Sequence, residues 1–114
     1  MKYMGSKARH ARELLEIVLA DRKPGQWYVE PFVGGANMID KVEGNRIGAD
    51  YNPWVACLWQ AVADGWVPPD VVTEDEYKAA QLERCVDAKT AFIGFACSYG
   101  AKFFGGYARG KNAA

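Results

Sequence analysis

The chain has 114 residues, enough for one folded domain and too few for two, because independent hydrophobic cores need roughly 100 to 200 residues each. Half of its residues are apolar and 13% are aromatic, a composition typical of globular and not of disordered chains. Fourteen basic residues balance fourteen acidic ones, so no overall charge marks the chain as a nucleic-acid or membrane binder. The stretch 102–114 is the exception, since its charged residues are all basic.

The three cysteines, Cys57, Cys85 and Cys97, have no C-x-x-C spacing. This pattern argues against a disulfide framework and against a zinc site, so we expect reduced thiols in the core and no metal. The sequence contains no apolar N-terminal leader and no apolar run of about twenty residues. We therefore expect a cytoplasmic protein that does not contact membranes.

Up to residue 65 the pattern alternates helices with strands. The predicted elements are a helix capped by Ser6 and ended at 23–25, a strand over 26–30, a loop over 31–36, a short helix to about Val42, and a strand over 46–50.

Asn52 and Pro53 then predict the start of a helix that runs to about Asp64, because Asn is favoured at the N-cap and Pro at the first helical position. We expect Trp54 and Trp59 of this helix to lie in the core. Thr73 and Glu76 have the spacing of a capping box, which opens a helix to about residue 84. A last helix is predicted over 88–99 and is followed by Gly100.

The stretch YVEPFVGGAN, residues 28–37, joins a strand to a glycine loop and a helix. Such units commonly bind adenosine ligands where the strand ends, and Gly34 and Gly35 let a ligand approach the backbone closely. Asp50 lies twenty residues after Glu30, where a carboxylate can accept hydrogen bonds from both ribose hydroxyls. The alternative is purely structural: the two glycines form only a turn, and Asp50 only begins a second turn.

The loop lacks the G-x-G-x-x-G pattern of dinucleotide sites and the G-x-x-x-x-G-K-[ST] pattern of ATP sites. Glu30 beside it repels a phosphate and favours an ammonium group. An adenosine ligand with an amino group and no phosphate is S-adenosylmethionine.

Three segments together resemble the Dam-like (D12 class) DNA adenine-N6 methyltransferases, especially phage and prophage members. KYMGSK (2–7) is similar to the N-terminal cofactor motif of that family, EPFVGGA (30–36) to its glycine motif and DYN (50–52) to its ribose-binding motif. The resemblance implies S-adenosylmethionine as cofactor, with Lys7 near the methionine carboxylate, Glu30 facing the ammonium, Asp50 on the ribose and Tyr51 against the adenine. The implied cofactor-binding residues are Tyr3, Lys7, Glu30, Pro31, Phe32, Gly34, Gly35, Asp50 and Tyr51.

The implied fold is α/β, a partial Rossmann-like methyltransferase domain with two parallel strands over 1–65. The start of a helical target-recognition segment would follow over 66–114. In the latter, Lys102, Arg109 and Lys111 alternate with Phe103, Phe104 and Tyr107, a composition compatible with phosphate contacts and base stacking in DNA. A flexible basic tail is the other interpretation.

The catalytic D-P-P-Y motif of the family is absent from these 114 residues, and Pro68-Pro69 cannot replace it because Asp70-Val71 follows. We therefore assign no catalytic residue. Two parallel strands also need neighbours to bury them. We expect the missing parts on a second polypeptide or through self-association, or a truncated gene, and inactivity of the chain alone. The runner-up function is a non-catalytic remnant or a regulatory module.

Overall fold

The computed structural model describes residues 1–110, which combine helices with one sheet of two parallel strands. The helices are α1 (Ala11–Val18), α2 (Pro53–Ala63), α3 (Glu74–Glu83) and α4 (Ala88–Ala96), and the strands are β1 (Tyr28–Glu30) and β2 (Arg46–Gly48). Short 3-10 turns cover Ala8–His10, Ile39–Lys41 and Tyr99–Ala101. The predicted α/β class with two parallel strands is confirmed.

The sheet is covered on one face. Tyr28 of β1 lies opposite Arg46 of β2, and its side chain is buried against Ala11 and Leu15 of α1. Val29 and Ile47, the next pair, point to the other face and are 62% and 53% exposed. Parallel sheets are normally covered on both faces, so this side of the sheet lacks a cover within the described residues.

Both predicted helix caps of the middle segment are present. The Asn52 side chain accepts a hydrogen bond from the Trp54 amide at 3.0 Å at the start of α2. Thr73 and Glu76 form both bonds of the capping box at the start of α3. These starts were predictable because each depends on residues three positions apart or closer.

Four predicted helix boundaries are wrong. The first helix, expected to run to 23–25, ends at Val18. The helix expected after the glycine loop is only the 3-10 turn Ile39–Lys41, because the backbone is already extended at Val42. Helix α4 ends at Ala96, since Ser98 is extended and bridges Tyr107 in antiparallel fashion. Ser6 Oγ does accept a bond from the Ala8 amide, but it opens the first 3-10 turn and not α1.

The buried side chains form three clusters, and one of them joins the two halves of the sequence. Val33 of the glycine loop packs with Val55 of α2 and Phe95 of α4, with Trp54 and Trp59 partly buried against them. The placement of these tryptophans agrees with the prediction. The expectation of core thiols is wrong for Cys85, which is exposed, while Cys97 is buried.

No helix within residues 1–110 has both the length and the apolar character needed to cross a bilayer.

Candidate functional site

A cavity of about 280 Å³ lies where β1 and β2 end. Seven of the predicted cofactor-binding residues line this cavity: Tyr3, Lys7, Glu30, Phe32, Gly34, Gly35 and Asp50. Pro31 and Tyr51 are outside its lining, and the Tyr51 side chain is 97% exposed. The carboxyl ends of parallel strands thus bring together residues from three separate sequence segments.

The Asp50 carboxylate connects the glycine loop to the start of α2. Its Oδ2 accepts a hydrogen bond from the Gly34 amide at 3.0 Å, and its Oδ1 accepts one from the Asn52 amide at 2.9 Å. A carboxylate has about four acceptor positions, so each oxygen keeps capacity for a further donor. Asp50 can therefore fix the loop and still accept hydroxyl groups from the cavity.

The two glycines are required by a close approach of the chain's own N-terminal segment. A Cβ on Gly34, whose φ is +50°, would lie 3.1 Å from the Tyr3 ring. A Cβ on Gly35 would lie 2.7 Å from the Met1 carbonyl oxygen and 2.9 Å from the Tyr3 Cβ, closer than real atoms come. From the sequence these glycines were expected to leave space for a ligand, but at Gly35 the segment around Tyr3 fills that space.

Asn37 is a lining residue that the sequence analysis missed. Its Nδ2 donates to the Met1 carbonyl at 3.0 Å and to Ser6 Oγ at 2.8 Å, so it holds the N-terminal segment over the loop. These contacts span more than thirty residues of sequence. No local pattern reports a pairing at that separation.

The cavity carries two carboxylates and one ammonium group, from Glu30, Asp50 and Lys7. The Tyr28 hydroxyl donates to Glu30 Oε2 at 3.0 Å, and burial followed by this bond raises the pKa of Tyr28 to about 12. Burial and then the charge of Asp50 raise the pKa of Tyr3. The excess of negative charge disfavours a phosphate in the cavity and favours an ammonium group beside Glu30.

The predicted DNA-binding residues lie in the other half of the molecule. Lys102 is exposed, Arg109 donates to Glu74 Oε1 at 2.7 Å, and Lys111 lies outside the described residues. The stacking part of that prediction is wrong for Phe104, which is buried in the cluster around Tyr77. Tyr107 is partly buried and donates to the Val72 carbonyl at 2.6 Å, so this part of the segment, within the described residues, packs beside α3.

Comparison with protein families gives one result that fits this geometry. The sequence model of the family described as D12 class N6 adenine-specific DNA methyltransferase matches residues 3–97, which include every residue that lines the cavity. The chain belongs to this family, whose substrate is DNA. Searches of curated proteins and of solved structures gave no match.

Proposed function

We propose that the cavity at the strand ends binds S-adenosylmethionine, and that the chain is the cofactor-binding portion of a site-specific DNA adenine-N6 methyltransferase. One observation carries the proposal: Lys7, Glu30 and Asp50 meet around the glycine loop in a single cavity. Family membership over 3–97 supports it.

The charges suit the ends of this cofactor. The Lys7 ammonium pairs with the methionine carboxylate, and the Glu30 carboxylate receives the amino group. Asp50 accepts the ribose hydroxyls with the positions that Gly34 and Asn52 leave free. Tyr51, exposed at the end of β2, covers the adenine ring, and Pro31 and Phe32 shape the loop beneath it.

When bound, the cofactor supplies an electrophilic methyl group on a sulfonium. The residues of this chain bind and orient it, while the acceptor is the N6 amino group of an adenine flipped out of duplex DNA. The pocket for that adenine requires a D-P-P-Y motif, which this sequence lacks. A second polypeptide, or a further copy of the chain, adds strands at the edges of the Rossmann-like sheet and covers its exposed face at Val29 and Ile47. In this proposal the second polypeptide carries the D-P-P-Y motif.

In this proposal residues 1–65 form the cofactor half of a cytoplasmic enzyme of phage type, and residues 66–114 begin the target-recognition segment. Lys102, Arg109 and Lys111 contact DNA phosphates there. The packing of Tyr107 and Phe104 against α3 gives Lys102 and Arg109 a firm support and leaves these two aromatic rings no stacking role.

Calorimetry of the full chain with S-adenosylhomocysteine tests the cofactor site, with Asp50→Ala as the variant that should lose binding. A methylation assay on adenine-containing DNA tests the incomplete acceptor site. We expect no product from the chain alone and product after a D-P-P-Y polypeptide is added. Methylation by the chain alone would contradict the assignment of the missing pocket.

The absent D-P-P-Y motif also favours a second function, a regulatory or remnant module that keeps cofactor affinity and has no catalytic role. The same two assays separate the candidates. Binding of S-adenosylhomocysteine together with no methylation in the presence of any D-P-P-Y polypeptide from the same locus favours the module.

A further inference from the structure

We propose that Trp59 is a positioning residue for the cofactor loop, acting through the carbonyl group of Gly34. This inference rests on the proposed function, because it assigns to Trp59 the task of fixing a loop that binds S-adenosylmethionine. Trp59 belongs to α2 and comes twenty-five residues after Gly34 in the sequence.

Gly34 is held at both ends by the segment that leads from β2 into α2. Its amide donates to Asp50 Oδ2 at 3.0 Å, and its carbonyl accepts from the Trp59 indole Nε1 at 2.7 Å. The second distance is at the short end of the normal range for an N–H···O bond. Because Asp50 and Trp59 flank the Asn52 cap of α2, one local structure sets both bonds.

The loop needs such a support because its own backbone is irregular. Gly34 and Ala36 have left-handed φ values of 50° and 61°, so the loop cannot continue the strand pairing or enter a helix. Backbone hydrogen bonds of the loop join Val33 to Ala49 and Ala36 to Val33, and the Gly34 peptide is bonded by the two side chains instead. Removing the indole N–H leaves the Gly34 carbonyl without its partner.

Trp59 acts at a distance from the cavity. It is absent from the lining of the cavity at the strand ends and lines instead a second groove, beside Ala36 and Gly48. Its ring also packs against the cluster of Val33, Val55 and Phe95. A ligand in the cavity would therefore be affected by Trp59 indirectly, through the positions of Gly34 and Val33.

The helix offers a matched control for this tryptophan. Trp54 also packs against the same cluster, and its Nε1 also donates to a backbone carbonyl, that of Cys85 at 3.1 Å. Neither the Trp54 ring nor the Cys85 carbonyl lines the cavity. Trp54→Phe thus removes an equivalent group from the same cluster and an equivalent bond, but that bond does not hold the loop.

The experiment compares the full chain with Trp59→Phe, with Trp54→Phe, and with Trp59 replaced by its benzothiophene isostere, which keeps the ring shape and lacks the N–H. S-adenosylhomocysteine affinity is measured by calorimetry, and backbone amide exchange of residues 33–36 by NMR. We expect both Trp59 replacements to weaken binding about fivefold to tenfold, as the loss of one hydrogen bond implies, and to speed exchange in the loop. Trp54→Phe should change neither quantity.

Unchanged affinity and unchanged loop exchange with the isostere would overturn the inference, even if Trp59→Phe fails to fold. Binding by the parent chain with equal losses in the Trp54 and Trp59 variants would also overturn it, because the effect would then be one of general packing. Absence of binding by the folded parent chain would overturn the proposed function, and with it the cofactor role of the loop.

Discussion

Gly34 donates its backbone amide to the Asp50 carboxylate at 3.0 Å, across sixteen residues of sequence. This bond couples the glycine loop after β1 to the turn after β2, so the two halves of the candidate site cannot move independently. Asp50 therefore has a structural task in addition to its proposed contact with the ribose. The two tasks predict different responses to mutation.

Replacing Asp50 with Ala should lower the free energy of unfolding by about 2 kcal/mol, because two backbone amides lose a charged acceptor. Asp50→Asn keeps an acceptor oxygen and should recover part of this loss, yet bind S-adenosylhomocysteine more weakly than the parent chain. Urea unfolding and calorimetry measure the two quantities. Asp40→Ala is the control, since this exposed carboxylate pairs only with Lys41 and should change stability by less than about 1 kcal/mol.

Gly35→Ala should destabilise the chain by about 1 to 3 kcal/mol and displace the N-terminal segment, because the new Cβ would meet the Met1 carbonyl at 2.7 Å. Cofactor affinity should fall with it, since Tyr3 and Lys7 lie on that segment. Gly65→Ala provides the comparison: Gly65 has a φ of +96° and open space around it. It should cost about 1 kcal/mol through backbone strain and leave affinity unchanged. Retained affinity in Gly35→Ala would show that the N-terminal segment does not form the site.

The N-caps Asn52 and Thr73 allow an effect on stability to be distinguished from an effect on cofactor binding. Asn52→Ala and Thr73→Ala should each reduce stability by about 1 kcal/mol, because each removes a side-chain acceptor at a helix start. Only Asn52 adjoins Asp50, so only its loss should weaken S-adenosylhomocysteine binding. Calorimetry at a temperature where both variants are folded makes the comparison. Equal affinity in the two variants would mean that the start of α2 does not position the site.

The buried Tyr28 hydroxyl, which donates to Glu30, should make the stability of the chain depend on pH. The pKa of Tyr28 is raised from 10.0 to about 12 in the folded chain, so the folded state holds its proton more tightly than the unfolded state does. The stabilisation is complete below pH 10 and is lost as the pH rises toward 12. The stability difference between the parent chain and Tyr28→Phe should therefore be constant below pH 10 and shrink between pH 10 and 12. A difference that does not change across this range would mean that the Tyr28 hydroxyl titrates normally.

Arg109 tests the proposed DNA contact. Its side chain is 74% exposed and pairs with Glu74, an arrangement that contributes little to stability. Arg109→Ala should weaken DNA binding and reduce the slope of log K against log salt by about 1, as the loss of one phosphate contact implies. Lys23→Ala, an exposed lysine in the turn before β1, should leave the slope unchanged. An unaltered slope in Arg109→Ala would remove this residue from the interface.

Local signals in the sequence predicted the elements that depend on neighbouring residues. Asn52 with Pro53, and Thr73 with Glu76, marked the starts of α2 and α3 because caps act within one turn. The strand pair and its parallel direction were predicted from the order strand, glycine loop, helix, strand, and the structure has both. The helix expected after the glycine loop was wrong, since the chain makes only the 3-10 turn Ile39–Lys41 before it becomes extended at Val42.

The site was predictable where the chain's own order creates it, at the ends of two successive parallel strands. Glu30 and Asp50 meet there for that reason. The closure of the site by the N-terminal segment was not predictable from spacing, because Asn37 reaches Met1 across thirty-six residues. The support of Gly34 by Trp59 was hidden for another reason: a tryptophan in an apolar helix is normally explained by packing alone, and its indole N–H leaves no trace in the pattern.

The most direct test of the cofactor assignment compares two ligands that share adenosine. S-adenosylhomocysteine carries an amino acid where ATP carries phosphates. The cavity offers Lys7 with Glu30 and Asp50, an arrangement that suits the amino acid of S-adenosylhomocysteine and repels the phosphates of ATP. In calorimetry with the full, folded chain we expect saturable binding of S-adenosylhomocysteine and none of ATP. No binding of S-adenosylhomocysteine, or equal binding of both ligands, would contradict the assignment.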